Sequence, residues 1–331
     1  MATLADIGER EAIQIIQKIL GRRAKEAARL DDAAVVRLPR GAAAELVTTT
    51  DTLAFSTHLL PAAPLRLFGY FACAVSISDL AAMGATPRGM LVALGLPRTT
   101  AVGDLEDLAL GFRSACNKLD FDMWGGDLKE APAPYVTGTA VGTVARGRAM
   151  RRARGIRPGW TVAVTGFIGR AAFGALRAKK GDALGHELVY NFEPRVDAGA
   201  AAAAIGGQIA CIDSSDGLTA SLIHLAGVNP GVGFELDASA LPLQPGLRKE
   251  AGPEQGLNLA LDWGGDYELV FCAPPRTAER LKESLRELRV PLTAVGRAVA
   301  GDGLYLVRDG SRESLGLRGF EHFKTPMAGP G

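Results

Sequence analysis

The sequence predicts an α/β protein of two domains, and three observations lead to this prediction. Short apolar runs of strand character alternate with amphipathic helical patterns along the chain. The chain has 331 residues, more than one hydrophobic core usually organises. Six arginines fall within residues 146–157, which end at the turn Arg157-Pro158-Gly159. The predicted domains are therefore residues 1–149 and 150–331.

The charge balance argues against two classes of partner. The chain carries 37 Lys and Arg against 36 Asp and Glu, so it lacks the basic excess of proteins that bind nucleic acid or anionic membranes. We therefore expect small-molecule substrates. The N-terminal residues have neither the basic nor the apolar region of a signal peptide. Widely spaced cysteines without a CxxC motif predict reduced core residues and a cytoplasmic protein, and they are Cys73, Cys116, Cys211 and Cys272.

The N-terminal half is predicted to alternate helices with strands. An amphipathic helix is expected over residues 6–20, with isoleucines at helical spacing. Asp31 and Asp32 precede a short apolar strand, and the β-branched run 45–52 contains Asp51. A long apolar run follows. The remaining predicted elements are a strand at 90–94, a helix at 105–119, a strand at 121–124 that breaks at Gly125-Gly126-Asp127, and a strand at 135–144.

The apolar run from Leu65 to Thr86 contains one carboxylate, Asp79. Its length and its small residues predict a helix that is buried on all sides. Two serines and Asp79 make it a poor membrane span. A lone buried carboxylate is costly unless it is paired or binds a cation. We therefore expect Asp79 to need a cation, and the alternative is an Asp that is exposed or that caps the helix end.

The C-terminal half is predicted to repeat the alternation. A strand at 161–165 turns through Gly166 and Gly169 into an Ala-rich helix, and the alanines at 198–204 predict another helix. A strand at 208–212 ends in the acidic stretch Asp213-Ser214-Ser215-Asp216-Gly217-Leu218. A strand at 267–271 and an amphipathic helix at 278–288 follow.

Many acids stand at strand ends and in turns, a pattern that predicts metal chemistry. They are Asp31, Asp32, Asp51, Asp79, Asp127, Asp213, Asp216 and Asp266. Mg²⁺ takes carboxylate oxygens and commonly keeps waters and substrate phosphates as its other ligands. Several ions could neutralise a polyphosphate during phosphoryl transfer. The alternative for any single Asp is a turn or N-cap residue. The sequence has no P-loop, no GxGxxG, no zinc-ligand spacing and no GxSxG elbow.

Six segments together resemble the thiamine-monophosphate kinase family, in the superfamily of aminoimidazole ribonucleotide synthetase and selenophosphate synthetase. They are Asp31-Asp32-Ala33-Ala34-Val35, Thr49-Thr50-Asp51-Thr52-Leu53, Ser78-Asp79-Leu80-Ala81-Ala82-Met83-Gly84-Ala85, Gly125-Gly126-Asp127, Asp213-Ser214-Ser215-Asp216-Gly217-Leu218 and Gly264-Gly265-Asp266-Tyr267-Glu268-Leu269. The resemblance covers nearly the whole chain. It implies a fold like that of aminoimidazole ribonucleotide synthetase, with an N-terminal β-sheet domain that binds ATP and Mg²⁺ and dimerises, and a C-terminal α/β domain.

The resemblance also implies an activity and a set of site residues. The implied reaction is direct transfer of the γ-phosphate of ATP to thiamine monophosphate, with Mg²⁺ and without a covalent nucleophile. The implied magnesium ligands are Asp32, Thr49, Thr50, Asp51, Asp79, Asp127, Asp213 and Asp216. The implied ATP contacts are Gly126, Asp127, Arg152 and Ser215. The implied contacts with thiamine monophosphate are His58, Asp266 and Phe320.

Four departures and three alternatives accompany the resemblance. Leu128-Lys129 replace the threonines that often follow Gly-Gly-Asp, and Trp160 stands where an Asp is usual. Leu30 replaces a glycine before the paired acids, and the family's Gly-Gly-Glu-Asp-Tyr-Glu-Leu is one acid shorter, so Asp266 can fill either acidic place. A selenophosphate synthetase would want a reactive cysteine near the N-terminus, whereas the first one here is Cys73. A hydrogenase-maturation relative would end in a cysteine, whereas this sequence ends in Pro330-Gly331. The third alternative is a non-catalytic protein that binds nucleotides or metals.

Overall fold

The computed structural model describes residues 31–316 except residue 40, together with eight positions near the N-terminus. These are Asp6, Ile7, Glu11, Ile13, Gln14, Ile15, Lys18 and Ile19, and all of them are helical. The helix predicted over 6–20 therefore lies partly outside the described residues. Phe320, the predicted substrate contact near the C-terminus, lies wholly outside them.

The first half is built on a five-stranded sheet with the order β1-β2-β5-β3-β4. Its strands are β1 Ala34–Val36, β2 Ala44–Ala54, β3 Thr86–Leu96, β4 Asp122–Glu130 and β5 Tyr135–Ala145. Neighbouring strands are antiparallel except for the parallel pair of β3 and β4. Between residues 31 and 145 this half has the helices α1 Phe55–His58, α2 Leu65–Ala82 and α3 Val102–Leu119. The predicted α/β fold class is confirmed by this architecture and by that of the second half.

Helix α2 is the apolar run with the single carboxylate, and it packs between the two halves. It contacts β2, β5 and α3 in the first half, and it also contacts elements of the second. Gly69 permits the close approach of α3, since a Cβ there would lie 2.4 Å from the carbonyl oxygen of Leu108. Among the described helices α2 alone is long and apolar enough to cross a membrane, yet 78% of it is buried inside the fold. Packing therefore accounts for its apolar sequence.

The second half is built on a seven-stranded sheet with the order β12-β11-β8-β10-β6-β9-β7. Its strands are β6 Thr161–Thr165, β7 Ala210–Asp213, β8 Val232–Asp237, β9 Leu269–Ala273, β10 Leu292–Ala300, β11 Leu304–Arg308 and β12 Ser311–Ser314. Its helices are α4 Arg170–Lys179, α5 Ala183–Tyr190, α6 Val196–Ile205, α7 Leu218–Gly227, α8 Leu247–Ala251, α9 Pro253–Asp262 and α10 Pro275–Glu287. The most apolar strands, β7 and β9, are buried along their whole length, as expected for a sheet covered on both faces.

The structure corrects two predicted strand boundaries. The strand predicted to break at Gly125-Gly126-Asp127 continues to Glu130 as β4. Its pairing with β3 shifts between Met90 and Leu91, and Gly125 adopts a φ of 135°. The glycine therefore allows a bulge, and the strand does not end there. The strand predicted from residue 267 begins only at Leu269, because Tyr267 has a left-handed φ of 54°.

Residues 146–160 connect the last strand of the first sheet to the first strand of the second. We propose that the boundary between the domains lies in this connection, after residue 149. A plain linker would leave all of its arginines exposed to solvent, but some of the arginines here are largely buried. Arg151 and Arg152 have side chains that are only 16% and 14% exposed, and both pair with acids of the first half. The connection therefore packs against the first half rather than only leading away from it.

Candidate functional site

Three predicted acids meet where the two halves of the molecule join. Asp32 precedes β1, Asp79 lies in the last turn of α2, and Asp213 is the last residue of β7. Each offers a carboxylate oxygen, and these oxygens all lie within 4.8 Å of one another. The side chain of Asp32 is 1% exposed and Asp213 is 2% exposed. Asp79 is half-buried, so the fold gathers three carboxylates from distant parts of the sequence in one small volume that is largely closed to solvent.

A fourth acid, Asp51, lies beside this group on β2. Its side chain faces α2, because Ser76 on that helix donates a hydrogen bond to its Oδ2 at 2.7 Å. Thr49, two residues earlier on the same strand face, donates from Oγ1 to Oδ2 of Asp79 at 2.6 Å. We call Asp32, Asp51, Asp79 and Asp213 the acid cluster. Two of the three predicted ligands on β2, Thr49 and Asp51, therefore lie next to Asp79.

Arg152 closes one side of the acid cluster. Its Nε donates to Oδ2 of Asp32 at 3.1 Å, and its Nη2 contacts the other oxygen of the same carboxylate. The main-chain N–H of Arg152 donates to Asp31 at 2.9 Å, and Arg151 bonds the second oxygen of Asp31 at 2.7 Å. The paired acids before β1 are thereby fixed by the connection between the sheets. A paired guanidinium of this kind is also a ready partner for phosphate oxygens.

Burial and mutual repulsion act together on the acid cluster. Burial raises the pKa of Asp79 well above its usual value, and the neighbouring charges of Asp51 and Asp213 raise it further. Burial, followed by the charge of Asp32, raises the pKa of Asp213 to about 7. Burial likewise raises the pKa of Asp51. It also raises the pKa of Asp32, although Arg152 opposes the shift. The position of Asp79 at a helix C-terminus adds to the negative potential.

This arrangement fits hard divalent cations. Arg152 brings one positive charge to four buried or half-buried carboxylates, and charges withdrawn from water need compensation. The donor set consists of carboxylate and hydroxyl oxygens, which Mg²⁺ and Ca²⁺ prefer to nitrogen or sulfur. Asp32, Asp79 and Asp213 are grouped closely enough to share an ion. The cluster can therefore hold metal, and it could then bind the phosphates of a nucleotide.

Two predicted ligands lie on the other face of the first sheet. Thr50 alternates with Thr49 and Asp51, and its hydroxyl bonds Gly138 and Thr139 at 3.1 and 3.0 Å. Asp127 is in register with Ala93, Thr137 and Thr52 across the sheet, so it shares the face of Thr50. Both side chains therefore point away from the acid cluster, and their role as ligands stays a prediction.

The surroundings of Asp127 differ from those of the acid cluster. Its side chain is 59% exposed and pairs with Lys129 at 2.9 Å. The hydrogen bond from Lys129 lowers the pKa of Asp127. Gly126, the other predicted ATP contact on this edge strand, is in register with Val92, Gly138 and Asp51. Contact between ATP and these two residues also stays a prediction.

The loop after Asp213 contains the predicted contacts Ser215 and Asp216. The main chain of this loop is fixed by residues 264–268. Gly265 donates from its N–H to the carbonyl of Ser215 at 2.7 Å, and Ser214 donates to the carbonyl of Glu268 at 2.8 Å. Asp216 lies close enough to Tyr267 for its charge to raise the pKa of that phenol, after burial and the charges of Asp213 and Asp51. Both predicted residues are therefore next to the acid cluster.

Asp266 has a structural role in this fold. Its carboxylate accepts hydrogen bonds from the N–H groups of Gly169 at 2.5 Å and Ala171 at 2.9 Å. These groups belong to the first turn of α4, so Asp266 caps a helix from a distant loop. Burial raises its pKa to about 6. Its predicted contact with substrate stays a prediction, and the carboxylate would have to leave this cap or share it.

The predicted substrate residue His58 ends the short helix α1. Its Nδ1 lies 2.7 Å from Oγ1 of Thr57. Tyr190, from α5 in the second half, donates from its hydroxyl to the carbonyl of His58 at 2.8 Å and accepts from the N–H of Leu60 at 2.6 Å. The fully buried ring of Tyr190 packs edge-on against Phe71. No sequence pattern marks Tyr190 as a site residue, because its hydrogen-bond partners lie about 130 residues away in the chain.

Tyr267 is a second residue at the site whose role no sequence pattern predicts. Its ring stacks on Phe192 with centroids 4.4 Å apart and an interplanar angle of 9°, and Phe71 meets it edge-on at 5.7 Å. The next residue, Glu268, accepts two bonds from Arg195, at 2.7 and 2.6 Å. This pairing holds the backbone in which Tyr267 adopts its left-handed conformation. The result is an aromatic group beside the acid cluster.

Comparisons with known proteins agree with this geometry. Residues 30–144 match the profile of the family described as AIR synthase related protein, N-terminal domain. The thiamine-monophosphate kinase of Escherichia coli K12 is 34% identical over 305 residues, which cover 89% of this chain and 91% of that enzyme. The thiamine-monophosphate kinase of Methanospirillum hungatei is 33% identical, and the alignment covers 95% of this chain and 99% of that enzyme.

One solved structure matches almost the whole chain. It is described as AaThiL complexed with AMPPCP and TMP, and it superposes on this chain with a TM-score of 0.83. The two sequences are 27% identical, and the match covers 97% of this chain and 99% of the other. The chain therefore shares the fold of a protein whose structure was determined in complex with AMPPCP and TMP.

Proposed function

The chain belongs to the thiamine-monophosphate kinase family, and on that premise we propose that it phosphorylates thiamine monophosphate to thiamine diphosphate with ATP and Mg²⁺. The observation that carries this proposal is the acid cluster. Three of its carboxylates lie within 4.8 Å of one another, in a chain 34% identical over most of its length to a kinase of that name. Grouping these acids away from water is costly, and a bound cation would offset that cost.

We propose that the acid cluster holds the magnesium ions. Asp32, Asp79 and Asp213 would hold ions directly, and Asp51 and Asp216 would complete the negative surface beside them. Bound Mg²⁺ would neutralise the polyphosphate and stabilise the charge that develops on the transferring phosphoryl group. Thr49 keeps the Asp79 carboxylate in a fixed orientation. The chain's own part in the reaction is therefore to position charges before the substrates arrive.

Arg152 is proposed to bind a phosphate of ATP, and Ser215 to contact the nucleotide beside it. The guanidinium of Arg152 is already held in place by Asp32, so little side-chain freedom is lost when a phosphate binds. Transfer is proposed to be direct. The nearest cysteine to the predicted site, Cys211, is buried with its pKa raised well above the usual value by burial, which suits a core residue and not a nucleophile.

The second substrate would lie between the acid cluster and the segment around His58. Tyr190 fixes this segment, and Tyr267 and Phe192 form an aromatic group that packs against Phe71 of α2. Thiamine monophosphate carries a cationic thiazolium, which aromatic faces attract. We propose His58 as a contact for this substrate, together with Phe320, while Asp266 acts first as the cap of α4.

A homodimer built through the first sheet is also part of the proposal. The face of Thr50 and Asp127 is not covered by α2 or α3, and Leu91 on this face is 45% exposed. Pairing of two such faces would bury Leu91 and the threonines of this face, which are Thr50, Thr52, Thr137 and Thr139. It would also bring Asp127 close to a second chain. A cytoplasmic location is proposed because the four cysteines are free thiols.

The selenophosphate synthetase alternative is not favoured by the site. Cys73, the first cysteine, lies within α2 and is fully buried, and burial raises the pKa of its thiol. A reactive thiol needs access and a lowered pKa.

An assay with two acceptors tests the proposed function. The purified protein is incubated with ATP and Mg²⁺ and with either thiamine monophosphate or thiamine, and the products are separated by chromatography. We expect thiamine diphosphate from the first acceptor, none from the second, and none when a chelator removes Mg²⁺. Hydrolysis of ATP without any thiamine diphosphate would contradict the proposal.

A further inference from the structure

Each carboxylate of the acid cluster has its own hydrogen-bond donor. Arg152 bonds Asp32, Thr49 bonds Asp79, and Ser76 bonds Asp51. The fourth donor is Ser78, whose Oγ lies 2.7 Å from Oδ2 of Asp213. Each carboxylate of the acid cluster is therefore oriented by a different side chain.

Ser78 differs from the other two hydroxyl donors in what it joins. Thr49 and Ser76 bond acids within the first half of the molecule. Ser78 lies on α2 and bonds the last residue of β7, 135 positions later in the chain. Its side chain is fully buried. The bond therefore links the apolar helix of the first half to the second sheet, at the point where the acids from both halves meet.

The orientation of Asp213 needs such a donor. Its carboxylate lies beside those of Asp32 and Asp79, and like charges would turn it away from them. A hydroxyl that holds one oxygen restricts rotation of the carboxylate and leaves the other oxygen available to a shared ion. Outer groups that orient metal ligands in this way commonly contribute strongly to metal affinity.

We propose that Ser78 is a positioning residue that fixes the Asp213 carboxylate for divalent cation binding across the junction of the two halves. The proposal rests on the proposed function only in that Asp213 holds an ion. Ser78 itself contacts neither the cation nor the substrates in this assignment. Its effect passes through the side chain of Asp213.

Ser221 provides a matched control. It is also a buried serine, 3% exposed, and its Oγ also bonds Asp213, at 3.0 Å. The acceptor, however, is the main-chain carbonyl of Asp213 and not its carboxylate. Ser221→Ala therefore also removes a buried serine hydroxyl that bonds Asp213, but it leaves the hydrogen bond to the Asp213 carboxylate in place.

The test measures binding of Mn²⁺ alone to the metal-free protein, with free Mn²⁺ followed by electron paramagnetic resonance. Ser78→Ala should weaken Mn²⁺ binding by about 10- to 100-fold. Ser78→Thr keeps the hydroxyl and should bind close to the level of the native protein. Ser221→Ala should bind as the native protein does. If Ser78→Ala does not fold, Ser78→Cys replaces it, because a thiol of similar size is only a weak donor.

Two results would overturn the assignment. One is native Mn²⁺ affinity in folded Ser78→Ala or Ser78→Cys. The other is an equal loss in Ser221→Ala, which would show a general effect of removing a buried hydroxyl. Either result can occur while the native protein still makes thiamine diphosphate, so the proposed function would stand. A native protein that binds no Mn²⁺ and makes no product would instead overturn both proposals.

Discussion

Thr49 Oγ1 lies 2.6 Å from Asp79 Oδ2, and this bond fixes the single carboxylate of an apolar helix against the neighbouring strand. The helix is buried along most of its length, and the half-buried carboxylate of Asp79 lies in its last turn. It lies among three other acids. A residue whose burial is so costly is expected to serve the ion that compensates it.

Asp79→Asn should lower the rate of phosphoryl transfer by roughly 10²- to 10³-fold, because an amide cannot supply the charge that holds the cations. The metal-free variant should be at least as stable as the native protein, since one of four repelling acids is gone. Turnover at saturating Mg²⁺ and urea unfolding without metal measure the two effects. Native turnover in a correctly folded variant would contradict the role of the cluster.

Tyr190→Phe should raise the KM for thiamine monophosphate by roughly 5- to 30-fold, as expected from the loss of one or two hydrogen bonds of about 1 kcal/mol each. The hydroxyl holds the main chain at His58 and Leu60, so its loss loosens the proposed substrate segment. The KM for ATP should not change. Tyr305→Phe is the control, because its hydroxyl bonds the carbonyl of Asp302 at 3.3 Å, in the second sheet and away from the proposed substrate segment. Equal effects of both variants on the two KM values would refute this role.

Asp266→Ala should lower the free energy of unfolding by about 1–3 kcal/mol, since it leaves two buried N–H groups of α4 without an acceptor. These are the groups of Gly169 and Ala171. The loss should appear in urea unfolding without any substrate. A variant with native stability and a raised KM for thiamine monophosphate would instead favour the substrate contact that the sequence predicted.

The stability of the metal-free protein should fall as the pH rises from about 5 to about 7. Burial and the charge of Asp32 raise the pKa of Asp213 to about 7 in the folded protein, from 3.8 as its ordinary value. In this interval the folded protein holds a proton that the unfolded chain has released, so a rising pH favours unfolding. The slope should reach about 1.4 kcal/mol per pH unit for one such group and vanish above its folded pKa.

Urea unfolding at pH 5, 6, 7 and 8 measures this slope. Asp213→Asn should make the slope smaller without abolishing it, because the pKa of Asp79 is also raised by burial. Saturating Mg²⁺ should reverse the slope, because metal ligands must lose their protons. Stability that rises steadily with pH in the metal-free protein would show that the acids are already compensated. That result would remove the electrostatic reason for placing cations here.

Much of the fold was predictable from local patterns, but the side-chain partners at the site were not. Period-two and helical patterns identified most strands and helices, including the buried run that became α2. The bulge in β4 escaped prediction, because glycines permit a bulge as readily as a strand end. The face on which Asp127 lies depends on that register, which is a property of the whole sheet.

The hydroxyl donors show the same limit in the site. Ser76 and Ser78 are evident as polar residues in an apolar helix, yet their acceptors come from β2 and β7. The conformation of Tyr267 likewise depends on Arg195 and Phe192, both more than 70 residues away. Sequence patterns indicate which residues carry chemistry, whereas tertiary packing decides which atoms they meet.

A single-turnover experiment with γ-labelled ATP tests the central claim most directly. The native protein and Asp79→Asn are mixed with labelled ATP, Mg²⁺ and thiamine monophosphate, and the label is followed in protein, free phosphate and thiamine diphosphate. The account predicts that the label passes directly into thiamine diphosphate in the native protein and stays on ATP in the variant or after chelation. Label that accumulates on the protein, or that reaches thiamine diphosphate equally well in Asp79→Asn, would contradict it.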